Sequence, residues 1–413
     1  MRSAEQHRAR ASCSLPVRLV RSCVRGTLAG AVTSRMRETY AQWQHTAAAA
    51  RQRREFAAWL SQLRSCPPDV LIGANFAASG GVRHHLLAIS RHSALQVALA
   101  PSDRLMRVGV GYEVTQAFKQ SFMDFTPKGM RAVHSHVFPW FVDWCRAHQG
   151  HGVHWVHTYH LNYFPEHAKE ELLPWQQEIN HALLHDARHA DVCLSVARWQ
   201  QADLRRTHQI DTIYLPNGVD VQRCDQADAR RFRRRVGDGP FVLFVGRNDP
   251  VKDPVAFVRL AQRLPRTRFV MLGHGLHDAV LHDEWGVDVP RNLNVLGPAS
   301  HTEVHDALAA CAALVVTSKR EGLPTLVLEA MTLRRPIVVP DEAGCMEAIG
   351  GGEFGLVYRH DNLDDLADKT LLALADDTRR DGARQRVLAE YDWRVIAPKL
   401  DAVYGGHAHR CSS

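Results

Sequence analysis

Several features are scarce in this sequence, and each scarcity excludes something. The nine cysteines (Cys13, Cys23, Cys66, Cys145, Cys193, Cys224, Cys311, Cys345 and Cys411) are scattered, odd in number and never spaced Cys-x-x-Cys. That argues against a cysteine zinc site or a disulfide framework and for a reducing compartment. The apolar stretch Leu308–Val316 is about half of the ~20 residues that a bilayer span needs. The N-terminus lacks the uninterrupted apolar core of a secretory signal. Lysine is absent from residues 1–68, which hold twelve arginines and three acids, a net +9. The whole chain of 413 residues carries +7, so the other 345 residues carry −2. Basic character therefore stops at residue 68, and a nucleic-acid-binding body is not expected.

The arginine-rich leader, residues 1–68, has three readings. Met36 is the true start, or the segment is a basic helix on an anionic membrane surface, or it is an organelle transit peptide. A second basic cluster, Arg51–Arg54, opens Glu55-Phe-Ala-Ala-Trp-Leu60, which reads as a short helix.

What is present is α/β alternation, with 45% hydrophobic residues and enough length for two cores. Strands are expected at Asp69–Gly73, Leu95–Leu99, Met106–Val110, Val153–Tyr159, Asp191–Val196 and Thr212–Leu215, with helices at Val82–Ser90 and Glu170–Ala187. In the second half, strands are expected at Phe241–Val245, Arg268–Leu272, Leu293–Leu296, Leu314–Thr317, Pro336–Val339 and Gly355–Tyr358. Asp253-Pro254 and Ser300-His-Thr-Glu303 carry helix-start signals. The pattern predicts two doubly wound parallel sheets that leave a cleft at the carboxyl ends of their strands. The expected division is 69–217 and 218–385, then an amphipathic helix from Arg386 to Tyr404 that packs back on the first domain.

Four constellations carry chemistry suited to a diphosphate. A departing diphosphate needs cations or helix N-termini, and sugar hydroxyls need a carboxylate. Arg247 and Lys252 follow the strand ending at Gly246, although loop cations usually face solvent. In Glu321-Gly322-Leu323-Pro324-Thr325-Leu-Val-Leu-Glu329 two carboxylates bracket a turn that opens a helix; a capped surface helix has the same spacing. Gly80 and Gly81 open a helix after the first strand, where backbone can approach a ligand. His160 ends a strand of the first half, and Gly273-His-Gly275 ends another in the second.

Together these motifs resemble the retaining family-4 glycosyltransferases, and the resemblance covers about 69–405. The specific part is the order Gly-Arg-x-x-x-x-Lys, Gly-x-Gly, then Glu-x-x-x-x-x-x-x-Glu-Ala-Met331, followed by Arg335-Pro-Ile-Val-Val-Pro340 and Glu342-Ala-Gly344. It implies the GT-B fold and sugar transfer with retention from a UDP- or GDP-linked donor to a saccharide or lipid-linked acceptor. It implies Arg247 and Lys252 on the pyrophosphate, Glu321 on the donor sugar, Glu329 on the ribose, Gly80 and Gly81 in the glycine loop, and His160 at the sugar. Departures are His274 in the Gly-x-Gly turn, Leu323-Pro324 after Glu-Gly, and Thr332–Arg335 in place of a small-residue stretch. No Asp-x-Asp triplet occurs after residue 68, so no metal and no cofactor are expected, with Arg247, Lys252 and helix N-termini serving the diphosphate instead. Surface polysaccharide or glycolipid synthesis, in the cytoplasm or on the inner face of the membrane, is the expected setting. A nucleotide-sugar 2-epimerase and a non-catalytic scaffold of the same fold are the competing readings.

Overall fold

A computed structural model describes residues 30–74, 81–102, 105, 112–161, 163–164, 172–375 and 378–406. Two six-stranded sheets, parallel throughout, dominate it. The first holds β1 (Val70–Gly73), β2 (Val97–Ala100), β3 (Ala132–Ser135), β4 (His154–Tyr159), β5 (Val192–Ser195) and β6 (Ile213–Tyr214), in the order β2-β1-β3-β4-β5-β6. The second holds β7 (Val242–Val245), β8 (Phe269–Leu272), β9 (Leu293–Val295), β10 (Ala313–Val315), β11 (Ile337–Pro340) and β12 (Leu356–Tyr358), in the order β12-β11-β10-β7-β8-β9. β1, β8, β10 and β11 are buried along their whole length. Helices cover both faces, which is why such strands are apolar runs rather than alternations.

The helices that matter below are α1 (Gly30–Ser65), α2 (Gly81–His92), α3 (Tyr112–Met123), α4 (Pro139–Ala147), α5 (Pro174–Asn180), α6 (Arg198–His208), α7 (Ala229–Val236), α8 (Pro254–Arg263), α9 (His301–Ala310), α10 (Thr325–Thr332), α11 (Ala343–Ala348), α12 (Leu363–Ala375) and α13 (Trp393–Tyr404). None of the described helices is long and apolar enough to cross a membrane.

Four expectations need correction. The boundary at residue 68 is too late. Phe56, Leu60 and Leu63 of α1 are buried in the first domain's core, and the Phe56 ring lies 4.6 Å from that of Phe118 on α3. Their spacing puts one apolar stripe on the helix, and burying it ties α1 to the domain. β3 was not anticipated, because half of Ala132-Val-His-Ser135 is polar; His134 and Ser135 are nevertheless fully buried. The helix expected over Glu170–Ala187 is α5, followed by a wider π turn over His181–Asp186. The C-terminal segment is not one helix. It breaks at Asp392, whose carboxylate accepts from the Arg394 amide (3.0 Å) and so caps α13.

The expected strand Met106–Val110 and residues 1–29 of the leader lie outside the described residues. Helix α13 packs on the first domain. The Tyr404 hydroxyl lies 2.7 Å from Nδ1 of His134, and the Ser93 hydroxyl donates to Asp401 at 2.5 Å. The chain returns there through Val219, which pairs with Asp392. Gly218 passes under the Trp393 ring, and a Cβ there would be 2.5 Å from the indole.

Candidate functional site

The second sheet reverses its winding between β7 and β10, which places a crevice at the carboxyl ends of those two strands. Lys252 stands in the loop after β7 and Glu321 in the loop after β10. Lys252 Nζ and Glu321 Oε1 meet at 2.5 Å, with both side chains more than two-thirds buried. The Lys252 loop is held from below. The Thr317 hydroxyl donates to the carbonyls of Lys252 and Asp253, each at 2.8 Å, and the Lys319 amide donates to Val251 at 2.8 Å. Asp253 takes a left-handed conformation (φ 45°) and caps α8 through its carboxylate. These bonds compensate for a backbone region that L-residues seldom occupy.

The Glu321 loop is pinned from both domains. The Glu321 amide donates to Glu342 Oε1 (3.1 Å), whose other oxygen accepts from the Cys345 amide (2.9 Å) at the start of α11. Trp199 on α6 donates through its indole to the Gly322 carbonyl (2.7 Å), Asn217 to the Leu323 carbonyl (2.9 Å), and Arg320 to the Tyr163 carbonyl (2.8 Å). Gly322 faces the first domain: a Cβ there would touch Leu161 and Val196 at 3.5 Å. Gly344 leaves still less room, since its Cβ would collide with the carbonyls of Glu321 and Gly322. Pro324 precedes Thr325, the first residue of α10, and no side chain caps this N-terminus. Its first amides are therefore left for water or a ligand.

The remaining predicted residues fall in three places. Arg247 pairs with Asp249 in its own loop (2.9 Å) and is 58% exposed, so it is not part of the Lys252–Glu321 pair. Gly273 and Gly275 shape the turn after β8. A Cβ on Gly273 would run into the Gly246 carbonyl, and Gly275 has φ +76°. Gly81 opens α2 with open space around it; Gly80 lies outside the described residues.

Glu329 turns toward α9. It is 8% exposed and lies 2.9 Å from Nε2 of His301 and 3.6 Å from Nε2 of His305, both on α9. Burial works against its ionised form, but the hydrogen bonds and charge of His301 and His305 win and hold its pKa down at about 2. His84 of the first domain stacks on His301 at 4.3 Å, so this carboxylate sits at the seam between domains. Burial, with His301 next, lowers the His84 pKa to about 4.

His160 follows β4 and meets His136, which follows β3: His160 Nε2 lies 3.0 Å from His136 Nδ1. His85 on α2 packs edge-on to His160 at 4.7 Å. Sequence reasoning passed over His84, His85, His136, His301, His305 and Trp199. The i, i+4 pair His301/His305 was the available signal, but Ser300-His-Thr-Glu303 had been absorbed as a capping box, which the structure also contains. A surface cavity of about 470 Å³ bounded by Pro139, Asp143 and His181 contains none of these residues.

With this geometry in view, the comparisons with known proteins are specific. Residues 125–223 match the family model Glycosyltransferase Family 4, and residues 225–388 match Glycosyl transferases group 1. The architecture is the two-domain, Rossmann-like GT-B fold, and these two stretches are similar to glycosyltransferase domains. Sucrose-phosphate synthase from Thermosynechococcus elongatus superposes with a TM-score of 0.64 at 19% identity, covering 81% of this chain and 98% of that one. Anabaena HepE in complex with UDP-glucose gives 0.65 at 17% identity, over 82% and 100%. Among curated proteins, D-inositol 3-phosphate glycosyltransferase of Stackebrandtia nassauensis is 28% identical over 228 residues (50% of this chain, 52% of that protein). Alpha-D-kanosaminyltransferase of Streptomyces kanamyceticus is 26% identical over 237 residues (53% and 61%). The chain thus spans about half the length of the curated relatives it matches.

Proposed function

We propose that the protein transfers a sugar from a nucleoside-diphosphate donor to an acceptor hydroxyl, with retention of anomeric configuration. The observation that carries this reading is the Lys252–Glu321 pair beside the uncapped start of α10. A cation, a carboxylate and free helix amides meet at the reversal point of a doubly wound sheet, where such sheets take nucleotides. UDP or UDP-glucose bound in structures of the same fold supports a UDP-type donor.

In this reading Lys252 exchanges Glu321 for the donor diphosphate. Arg247 leaves Asp249 to join it, and the α10 amides add their partial positive charge. As the bond from the anomeric carbon to the diphosphate oxygen breaks, these groups stabilise the charge that collects on the leaving group. The acceptor oxygen bonds to the same face of the anomeric carbon, and its proton passes to a diphosphate oxygen. Glu321, released from Lys252, holds donor-sugar hydroxyls; Glu329 accepts from the ribose, and His160 faces the sugar from the first domain. A saccharide or lipid-linked acceptor in polysaccharide or glycolipid synthesis is the setting we favour.

The test is product formation from UDP-, GDP- and ADP-sugars by the wild type and Lys252→Ala. Transfer by the wild type with a loss of at least a hundredfold in the variant supports the reading. Equal turnover by both contradicts it.

A further inference from the structure

The first domain contains a group of buried and half-buried imidazoles, of which sugar transfer accounts for His160 alone. His134 is satisfied by Tyr404 (2.7 Å) and Thr158 (2.8 Å), and His157 by Ser135 (2.8 Å) on one side. His85, His136 and His160 are different. One ring nitrogen from each lies within 4.8 Å of the other two, on α2 and at the ends of β3 and β4. His136 is fully buried, and its Nε2 has no hydrogen-bond partner; nor does the buried Nδ1 of His85. One ion takes one nitrogen of each ring, and His136 turns its Nδ1 to His160, so its Nε2 stays unpartnered beside such an ion and the Nδ1 of His85 is the unsatisfied nitrogen available to it.

We propose that His85, His136 and His160 form a binding site for one divalent transition metal ion of the zinc type. Imidazole nitrogen is a preferred donor for Zn²⁺, Co²⁺, Ni²⁺ and Cu²⁺. In a tetrahedral site with metal–nitrogen bonds of about 2.0–2.1 Å, ligand nitrogens stand roughly 3.3 Å apart. The 3.0 Å between His136 and His160 is already close to that. Drawing in the third nitrogen from at most 4.8 Å takes a shift of about 1–1.5 Å, which falls on His85, a half-buried ring on a helix. Burial lowers the pKa of all three imidazoles, that of His85 to about 4, so their lone pairs are available near neutral pH. Three neutral ligands leave the ion's double charge uncompensated and one position open, which suits an anionic or water fourth ligand. The three imidazoles all come from the first domain and include neither Lys252 nor Glu321, so the inference does not need the transferase reading. The two share His160, however, and a metal there occupies the Nε2 that faces His136.

Tag-free full-length protein, stripped with chelator, is titrated with Co²⁺. Visible d–d absorption and bound cobalt per chain are the readouts. We expect one equivalent with the intense bands of a low-coordinate nitrogen site. His85→Asn and His136→Asn should each weaken binding at least tenfold, while the His301→Asn/His305→Asn pair leaves it unchanged. Circular dichroism establishes that the variants fold. If His136→Asn unfolds, His85→Asn decides the matter alone. No cobalt bound by the wild type, or binding that survives His85→Asn and is lost only in the His301/His305 pair, overturns the proposal.

Discussion

Trp199, on the first helix after β5, donates its indole hydrogen to the carbonyl of Gly322 at 2.7 Å, and so one domain holds the loop that carries the other domain's acid, Glu321. Trp199→Phe keeps an aromatic ring in place but removes that bond and trims the indole to a phenyl. A neutral hydrogen bond contributes about 0.5–1.5 kcal/mol. We therefore expect donor affinity to weaken by roughly two- to tenfold with kcat and melting temperature little changed. Isothermal titration with UDP checks this, and an unchanged Kd would mean that the loop holds its position without Trp199.

Gly344→Ala acts on the same loop from the opposite side. Its methyl group would collide with the carbonyls of Glu321 and Gly322 and must displace them. Overpacking of this kind costs about 1–3 kcal/mol. The expected result is a lower melting temperature together with a raised KM for the donor. Gly351→Ala is the control for conformational strain alone, because φ is +68° there and no atom lies within 4 Å.

Glu329 predicts a pH dependence with a definite sign. Its folded pKa, about 2, is depressed below the ordinary carboxylate value by His301 and His305 despite burial. A depressed carboxylate contributes stability that is fully present above the unfolded value, about 4.3. That contribution is lost as pH falls through the window down to about 2. Glu329→Gln should lower stability at neutral pH and flatten the decline across this window. Urea midpoints measured from pH 6 to about 2 report it. A variant curve parallel to that of the wild type would show that the carboxylate is not held by its histidines.

The segment before β1 belongs to the fold. Phe56, Leu60 and Leu63 are 4–5% exposed, and truncating a buried Phe to Ala costs about 3–5 kcal/mol. Phe56→Ala should lower the melting temperature markedly. A chain starting at Met36 keeps all three residues and should melt like the whole; one starting at Asp69 should not fold. Differential scanning calorimetry distinguishes the three.

The second sheet was largely legible because β7, β8, β10 and β11 are short apolar runs between clear helix-start signals, and they lie within one or two residues of expectation. Lys252 and Glu321 could be picked out for the same reason, since each follows a strand whose end was evident. Their mutual contact could not be seen: 69 residues separate them, and only the β7–β10 neighbourhood brings them together. β3 escaped because buried histidine and serine mimic a loop, being satisfied by Tyr404 and His157 from distant segments. The apolar stripe of α1 was present in the spacing of Phe56, Leu60 and Leu63, but its surrounding arginines suggested a free-standing leader. The two histidines beside Glu329 lie 24 and 28 residues earlier, and its spacing from Glu321 carried no sign of them.

The central claim is that Lys252 and its neighbours bind a nucleoside diphosphate. The direct measurement is the melting temperature of wild type and Lys252→Ala with UDP, GDP or ADP, each in EDTA. A ligand that binds only the native state raises that temperature by mass action. The account predicts a rise with one diphosphate in the wild type, undiminished by EDTA, and little or none in Lys252→Ala. No rise with any of the three, or an equal rise in the variant, would contradict it.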